Sequence, residues 1–119
     1  MVTVQIPIEE ELMQVESPCP LDELLTIISG KWKIIILWHL QEGMMRFSEL
    51  RKRMPSITQK MLTQQLRELE QQDMVLRKVY AEVPPRVEYQ LTAKGREIRP
   101  LLQQMQQWSK KHLMSAQLN

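Results

Sequence analysis

The sequence predicts a mainly α-helical domain with one small β-hairpin, an α+β fold that ends in a long helix. Three observations support this prediction. Apolar residues recur at helical spacing in several segments, one stretch alternates apolar and polar residues as a strand does, and prolines or glycines separate the segments. A chain of 119 residues suffices for one such domain with a modest core.

The first two helices are predicted in the first third of the chain. Pro20 suits the first turn of a helix, where its missing N–H costs nothing, and Gly30 ends that helix. Its apolar stripe consists of Leu21, Leu24, Leu25 and Ile28. The next segment, KWKIIILWHLQEG over residues 31–43, is apolar on nearly every side. Its length and its closing Gly43 favour a buried central helix over a strand.

A short extended piece and a third helix follow. Arg46 and Phe47 form the extended piece, and Ser48 is the predicted N-cap of a two-turn helix. Pro55 stops that helix after about Met54, because the residue before a proline disfavours helical backbone. The turn that contains Pro55 leads directly into a fourth helix.

The segment SITQKMLTQQLRELEQQDMV is predicted to form the fourth helix over about residues 58–72. Two N-caps compete at its start, because Ser56 with Gln59 matches a capping box while Thr58 would begin the helix two residues later. At about 100° per residue, the apolar side holds Met61, Leu62, Leu66 and Leu69. The opposite side holds Lys60, Thr63, Gln64, Arg67 and Gln71.

A β-hairpin and a long final helix complete the chain. Residues 75–83 and 87–91 are predicted as strands, with two prolines and Arg86 at the tip between them. Thr92 is the predicted cap of the last helix, in which Pro100 either introduces a kink or marks the true start. The helix carries a heptad seam of Ile98, Leu101, Met105, Trp108 and His112, which Leu102 and Leu113 widen.

Charge divides the chain into an acidic N-terminal arm, residues 1–17, and a basic domain, residues 18–119. Residues 1–19 carry four glutamates and no cation, so the rest of the chain holds all 16 basic residues against 10 acids. Within residues 43–67 only Glu49 opposes six cations. A local charge of +5 is a candidate footprint for a polyanion, although charge alone equally describes a solvated surface.

The order of elements predicts a winged helix-turn-helix that binds double-stranded DNA. An α-helix fits the major groove, where amides match adenine, cations match guanine and a threonine methyl contacts thymine. The candidate base-contacting residues are Gln59, Lys60, Thr63, Gln64 and Arg67. The candidate backbone-contacting or wing residues are Arg46, Ser48, Arg51, Lys52, Arg53 and Arg86, the last of which is predicted to enter a narrow minor groove.

Four segments together resemble the HxlR-type winged helix-turn-helix regulators of bacteria. They are CPLDELLTIISGKWKIIILWHL, RFSEL, ITQKMLTQQLRELEQQDMV and VPPRVEYQLTAKG, and the resemblance covers roughly residues 19–113. It implies a homodimer joined through the first and last helices that binds a pseudo-palindromic operator as a repressor or an activator. The interface residues expected from this are Leu21, Leu24, Leu25, Ile98, Leu101, Leu102, Met105, Trp108 and His112. The acidic arm is not part of the family pattern.

Cys19 is the one cysteine of the chain and precedes Pro20 at the start of the first helix. The N–H groups and dipole of a helix N-terminus favour a thiolate, which reacts with oxidants and electrophiles. One hypothesis is therefore a redox or electrophile switch, as the resemblance also implies. The alternative is an inert thiol retained for capping or packing.

Other classes of function find less support in the sequence. It contains no pattern of nucleophile, base and orienting residue and no phosphate loop, so no enzyme and no cofactor are expected. One cysteine and two histidines do not supply a structural metal site, and no apolar run is long enough for a membrane span. A cytoplasmic location is expected. The alternative function is a winged-helix protein-interaction module without specific DNA binding, and no small-molecule effector is identified.

Overall fold

The computed structural model describes residues 19–114, so the predicted acidic arm, residues 1–17, lies outside the described residues. The helices are α1 Pro20–Ile28, α2 Lys33–Leu40, α3 Phe47–Arg53, α4 Gln59–Gln71, α5 Ala93–Arg96 and α6 Arg99–Ser109. A π-helical turn, Lys110–Met114, continues α6. The strands are β1 Met45–Arg46, β2 Val75–Tyr80 and β3 Arg86–Leu91. The predicted class, mainly helical with a small sheet and a long C-terminal helix, is confirmed.

The three strands form one antiparallel sheet in the order β1-β3-β2. We call β2, β3 and the connecting residues 81–85 the wing. The first strand of the wing, β2, ends at Tyr80, earlier than predicted. Arg86 is the first residue of β3 and pairs with Tyr80. The prediction that Arg86 lies in the connecting loop is therefore wrong. The prolines remain in the loop because they lack the N–H that a strand ladder requires.

The core forms around α2, as the apolar run predicted, although the helix is shorter than residues 31–43. Ile36, Leu37 and Leu40 on α2 are buried against α3, α4 and the sheet. They meet Leu50 from α3 and Leu62, Leu66 and Leu69 from α4. Full burial of one such side chain contributes about 1.5–3 kcal/mol, so these contacts hold α4 firmly on the domain.

Thr58, and not Ser56, is the N-cap of α4. The Thr58 hydroxyl accepts a hydrogen bond from the Met61 N–H at 3.0 Å, which satisfies one of the free donors at the helix start. Met61 was predicted on the buried side, but it is 36% exposed. It stands about 100° away from the mean direction of the three buried leucines, at the border of the apolar stripe.

The N-cap of α3 also differs from the prediction. Arg46 has the extended backbone of an N-cap, and its N–H donates to the Glu49 carboxylate at 2.9 Å. Ser48 lies inside the first turn, so its predicted capping role is wrong. The Glu49 carboxylate, three residues after the N-cap, thus satisfies the N–H of the N-cap residue itself, as in one half of a capping box. The helix ends at Arg53, before Pro55, and α3 and α4 form a helix-turn-helix.

The predicted single final helix is divided into α5 and α6. The Thr92 hydroxyl accepts from the Gly95 N–H at 2.9 Å and donates to the Asp73 carbonyl at 2.6 Å. Gly95 packs so closely on the Met74 carbonyl that any Cβ there would clash, and this contact fixes α5 against the start of β2. Pro100 lies in the first turn of α6, so it marks the true start of the long helix.

Candidate nucleic-acid interface

The outer side of α4 brings together all five candidate base-contacting residues. They line one open groove, and we call this set the polar face: Gln59, Lys60, Thr63, Gln64 and Arg67. The Thr63 hydroxyl donates to the Gln59 carbonyl at 2.9 Å, so its proton is used within the helix. The face therefore offers amide edges, a threonine side chain and two cations to a ligand in the groove.

An ion pair between a buried lysine and a half-buried glutamate connects the polar face to the core, and sequence analysis missed it. The Lys33 ammonium lies 2.6 Å from one Glu68 oxygen, and the Lys33 side chain is 6% exposed. The other Glu68 oxygen accepts a hydrogen bond from the Gln64 amide nitrogen at 3.3 Å. The hydrogen bond from Lys33, and then the one from Gln64, lower the pKa of Glu68. The signals in the sequence were a single cation in an apolar helix and the four-residue spacing of Gln64 and Glu68.

The cations around the polar face differ in whether an acid neutralises them. Within residues 19–114 no ion pair involves Lys60, Arg67, Arg46, Arg51 or Lys52. Arg53, by contrast, contacts the Glu42 carboxylate at 3.0 Å. A cation without a protein partner can bind a phosphate without first breaking an ion pair, so the first group is the better set of phosphate ligands.

Arg86 is bound within the wing and does not project from its tip. Its guanidinium contacts the Glu82 carboxylate at 3.0 Å and the Glu88 carboxylate at 3.7 Å, and it lies 4.1 Å above the Tyr80 ring. Glu88 is buried, so the arginine supplies the charge that its carboxylate needs. In this position Arg86 stabilises the wing.

Further grooves extend the polar face toward α3 and the wing. One joins α3 to Gln59 and is lined by Phe47, Ser48, Arg51, Lys52 and Gln59. Another brings Arg46 and Ser48 against the wing residues 82–87. A third lies between α4 and the wing and is lined by Thr63, Arg67, Glu70, Arg77 and Tyr89. These grooves share residues with one another, so the cations border one continuous surface.

Arg77 is a further candidate that sequence analysis did not assign. It lies on β2 opposite Tyr89 and takes part in no ion pair within residues 19–114. The groove between α4 and the wing places it with Arg67. No local pattern predicts this neighbourhood, because it depends on how the sheet packs against α4.

A second exposed surface is apolar and lies on α1 and α6. We call it the apolar face, and its residues are Leu21, Leu25, Leu101, Met105 and Trp108, which are 40–65% exposed. His112 lies beside it, with its ring centroid 5.0 Å from that of Trp108. Ile98 and Leu102, predicted for the same seam, are buried in the core of the chain itself, and Leu24 is half-buried against that core.

Cys19 is exposed at the N-cap position of α1. Its carbonyl accepts the Asp22 N–H at 2.8 Å, whereas its side chain makes no capping hydrogen bond. The capping and packing role considered for this thiol therefore has no support in its contacts.

Within the described part of the chain, no three His, Cys, Asp or Glu residues cluster as ligands of a metal ion. Likewise, none of the helices described between residues 19 and 114 is both long and apolar enough to span a membrane.

Comparison with known proteins identifies the family of the chain. The family model described as HxlR-like helix-turn-helix matches residues 27–117. The HTH-type transcriptional regulator YdeP of Bacillus subtilis (strain 168) is 52% identical over 94 residues, which cover 79% of this chain and 73% of YdeP. The redox regulator HypR in its oxidized form matches with a TM-score of 0.75 and 50% identity, over 79% of this chain and 97% of HypR.

A second solved structure agrees. The reduced form of the transcriptional regulator YodB from B. subtilis has a TM-score of 0.70 and 36% identity, over 82% of this chain and 96% of YodB. These relatives are transcription regulators with this fold. The predicted winged helix-turn-helix is therefore confirmed, and so is the prediction that the chain is not an enzyme. The chain belongs to the HxlR-like helix-turn-helix family of transcriptional regulators.

Proposed function

We propose that the chain acts in the cytoplasm as a repressor that binds a pseudo-palindromic operator in double-stranded DNA as a homodimer. The observation that carries the proposal is the polar face of α4, which is exposed and bordered by Arg51 and Lys52, neither of which forms an ion pair within residues 19–114. The major groove admits an α-helix, and it displays the donors, acceptors and methyl groups that these side chains complement.

The contacts of each cation divide the candidate DNA ligands into two groups. Arg46, Arg51, Lys52 and Arg77 have no carboxylate partner within residues 19–114, and with Ser48 they suit contacts to the DNA backbone. Arg53 and Arg86 are held by glutamates, so a phosphate contact would compete with an existing ion pair. We therefore assign the non-specific electrostatic attraction mainly to the first group.

The apolar face supports the homodimer. Five large apolar side chains are exposed on α1 and α6, and exposed apolar side chains of this size are typical of a protein–protein contact. A two-fold axis through this face would present one α4 helix from each subunit. Their half-sites would be separated by one helical turn of DNA, about 34–36 Å, or a multiple of it.

Cys19 is the proposed regulatory site. Its thiol is exposed and makes no capping hydrogen bond. Among the relatives, HypR is described as a redox regulator, and the structure of YodB was solved in a reduced form. With diamide, two thiols lose two protons and two electrons, one S–S bond forms, and diamide is reduced to the hydrazine. Since the chain has one cysteine, the second thiol belongs to the partner subunit's Cys19 or to a low-molecular-weight thiol.

The test is binding of the purified full-length protein to the intergenic DNA beside its own gene. Affinity is measured at two or more salt concentrations, with and without diamide, for the wild type and for Cys19→Ser. We expect specific binding whose log–log slope against salt is about −0.9 for each phosphate contact. We expect diamide to weaken binding of the wild type and to leave Cys19→Ser unchanged.

Each part of the proposal can fail separately. Specific binding that diamide does not affect, with Cys19 accessible to a thiol reagent, removes the cysteine switch and keeps the regulator. If the intergenic DNA is not bound, selection of sites from the whole genome follows. A failure there as well favours a winged-helix module that binds other proteins.

A further inference from the structure

The side-chain amide of Gln64 is held by a carboxylate that is itself fixed to the core. Glu68 receives the Lys33 ammonium on one oxygen at 2.6 Å and the Gln64 amide on the other at 3.3 Å. Lys33 belongs to the central helix α2, and its side chain is 6% exposed. A residue of the polar face is thereby connected through one acid to the central helix, whose apolar residues are buried in the core.

This contact determines which way the Gln64 amide points. An ionised carboxylate only accepts hydrogen bonds, so it must face the NH₂ group of the amide and not its carbonyl oxygen. One N–H of that group is used by Glu68. The remaining N–H and the carbonyl oxygen are left as one donor beside one acceptor, available to a ligand in the groove.

We propose that the Lys33–Glu68 ion pair orients Gln64 so that it recognises adenine in the major groove. Adenine presents an acceptor, N7, beside a donor, the N6 amino group, and these match the free edge of the amide. The inference rests on the proposed function, in which α4 enters the major groove. Within it, Gln64 is the specificity-determining residue and Glu68 and Lys33 are positioning residues.

The orientation matters because an unrestrained glutamine is permissive. If its amide rotates by a half turn, its N–H group takes the place of its oxygen and can donate to the O4 oxygen of thymine. In this protein the half turn would place the amide oxygen against the Glu68 carboxylate, which is electrostatically unfavourable. Guanine is also disfavoured, because its O6 would face the amide carbonyl.

The alternative is that Glu68 serves only to neutralise the buried Lys33. Two double substitutions separate these roles without leaving a buried charge. Lys33→Met with Glu68→Ala removes both the ion pair and the hydrogen-bond acceptor for Gln64. Lys33→Met with Glu68→Gln removes the same ion pair and keeps an oxygen that can accept from Gln64, but it adds an NH₂ group that can donate to the Gln64 carbonyl instead, so it is the matched control.

The experiment measures affinity for a panel of operator duplexes that carries each of the four base pairs at every half-site position. We expect the wild type to favour adenine at one position by at least about fivefold. Lys33→Met with Glu68→Ala should reduce that preference to less than about half its wild-type ratio while the salt slope stays the same. The matched control should keep more of the preference than Lys33→Met with Glu68→Ala and less than the wild type, because its new amide can accept from Gln64 but does not exclude the opposite orientation.

Gln64→Ala locates the position. It should abolish the adenine preference at the same base pair, and adding Lys33→Met with Glu68→Ala to it should change the preference no further. The inference is overturned if the double variant keeps the full preference, if it relaxes a different position, or if the preferred base is not adenine. Absence of specific binding by the wild type would overturn the proposed function as well.

A second measurement does not depend on the folding of the double variants, and it uses only a substitution at the exposed Gln64 for assignment. In the wild type, the two side-chain N–H protons of Gln64 should have NMR shifts that are well separated and that change as Glu68 is protonated at acid pH. The resonance is assigned by its disappearance in Gln64→Ala. Shifts that match those of a free glutamine amide and do not change with pH would overturn the proposed orientation.

Discussion

The polar face and the apolar face of this domain are both exposed, but they are suited to different partners. The polar face carries cations and amides, and the nearby Arg46, Arg51 and Lys52 make no ion pair within residues 19–114. The apolar face exposes leucine, methionine and tryptophan side chains that gain from leaving water. The first suits a polyanion and the second suits a protein surface. Because the two chemistries are separate, substitutions should be able to disrupt dimerisation and DNA contact independently.

The largest effect is expected from charge on the apolar face. Leu101→Glu with Met105→Glu places two carboxylates among side chains that are 40% exposed in the single chain and would be buried in a dimer. We expect a monomer that holds one half-site, with operator affinity reduced by about 10²–10⁴ because the second half-site is no longer bound by a linked subunit. Light scattering gives the mass, and titration with operator DNA gives the affinity.

Gln103→Glu is the matched control for this prediction. It adds a carboxylate to the same helix, at an exposed position on the side away from Leu101 and Met105. We expect this variant to remain a dimer with nearly unchanged affinity. A dimeric Leu101→Glu, Met105→Glu protein would show that the subunits associate elsewhere.

A smaller effect is expected from single cations near the polar face. Arg51 and Arg53 lie on the same short helix and are both exposed, but within residues 19–114 only Arg53 contacts a carboxylate, that of Glu42. Arg51→Ala should weaken all DNA alike and reduce the salt slope by about 0.9 for each phosphate that is no longer bound, or about 1.8 for a dimer. Arg53→Ala should change the slope less. Equal slopes for the two variants would contradict the distinction between paired and unpaired cations.

Substitution of Arg86 in the wing should change the stability of the domain more than its affinity for DNA. Arg86→Ala leaves the buried Glu88 without its cation, so we expect a loss of about 1–3 kcal/mol in the free energy of unfolding, measured with urea. Glu88→Gln in the same protein should restore much of the loss, because the buried charge is removed. A large fall in the salt slope with unchanged stability would instead support the predicted minor-groove contact.

Comparing these residues shows which features a sequence can predict. The polar face followed from helical periodicity, and the buried leucines of α4 followed from the same rule, because both depend only on neighbours within one helix. The N-cap of α3 was misplaced by two residues, because the helix begins after Arg46, whose N–H donates to the Glu49 carboxylate, and Ser48 lies within the first turn. Arg86, Arg77 and the Lys33–Glu68 pair depend on strand register or on helix packing between distant segments, which no local pattern encodes.

The smallest effect concerns the pH dependence of the ion pair behind the polar face. The pKa of Glu68 lies below its ordinary value of 4.5, chiefly because Lys33 donates a hydrogen bond to the ionised form. Since the folded-state pKa is the lower one, the stabilisation is fully present above about pH 4.5 and is lost as the pH falls through the folded-state value. We expect the urea midpoint of the wild type to fall more steeply below pH 5 than that of Lys33→Met with Glu68→Gln.

A second group, His39, also makes the stability of the domain sensitive to acid, and it does so in both of the proteins that are compared. Burial, followed by the charge of Arg53, lowers the pKa of His39, so its protonation also favours the unfolded chain as the pH falls. Both proteins keep His39, so its contribution cancels when their midpoints are subtracted at each pH. A difference that stays constant from pH 7 to pH 3 would mean that Glu68 is not stabilised in its ionised form. The polar face would then lack the fixed carboxylate on which the orientation of Gln64 depends.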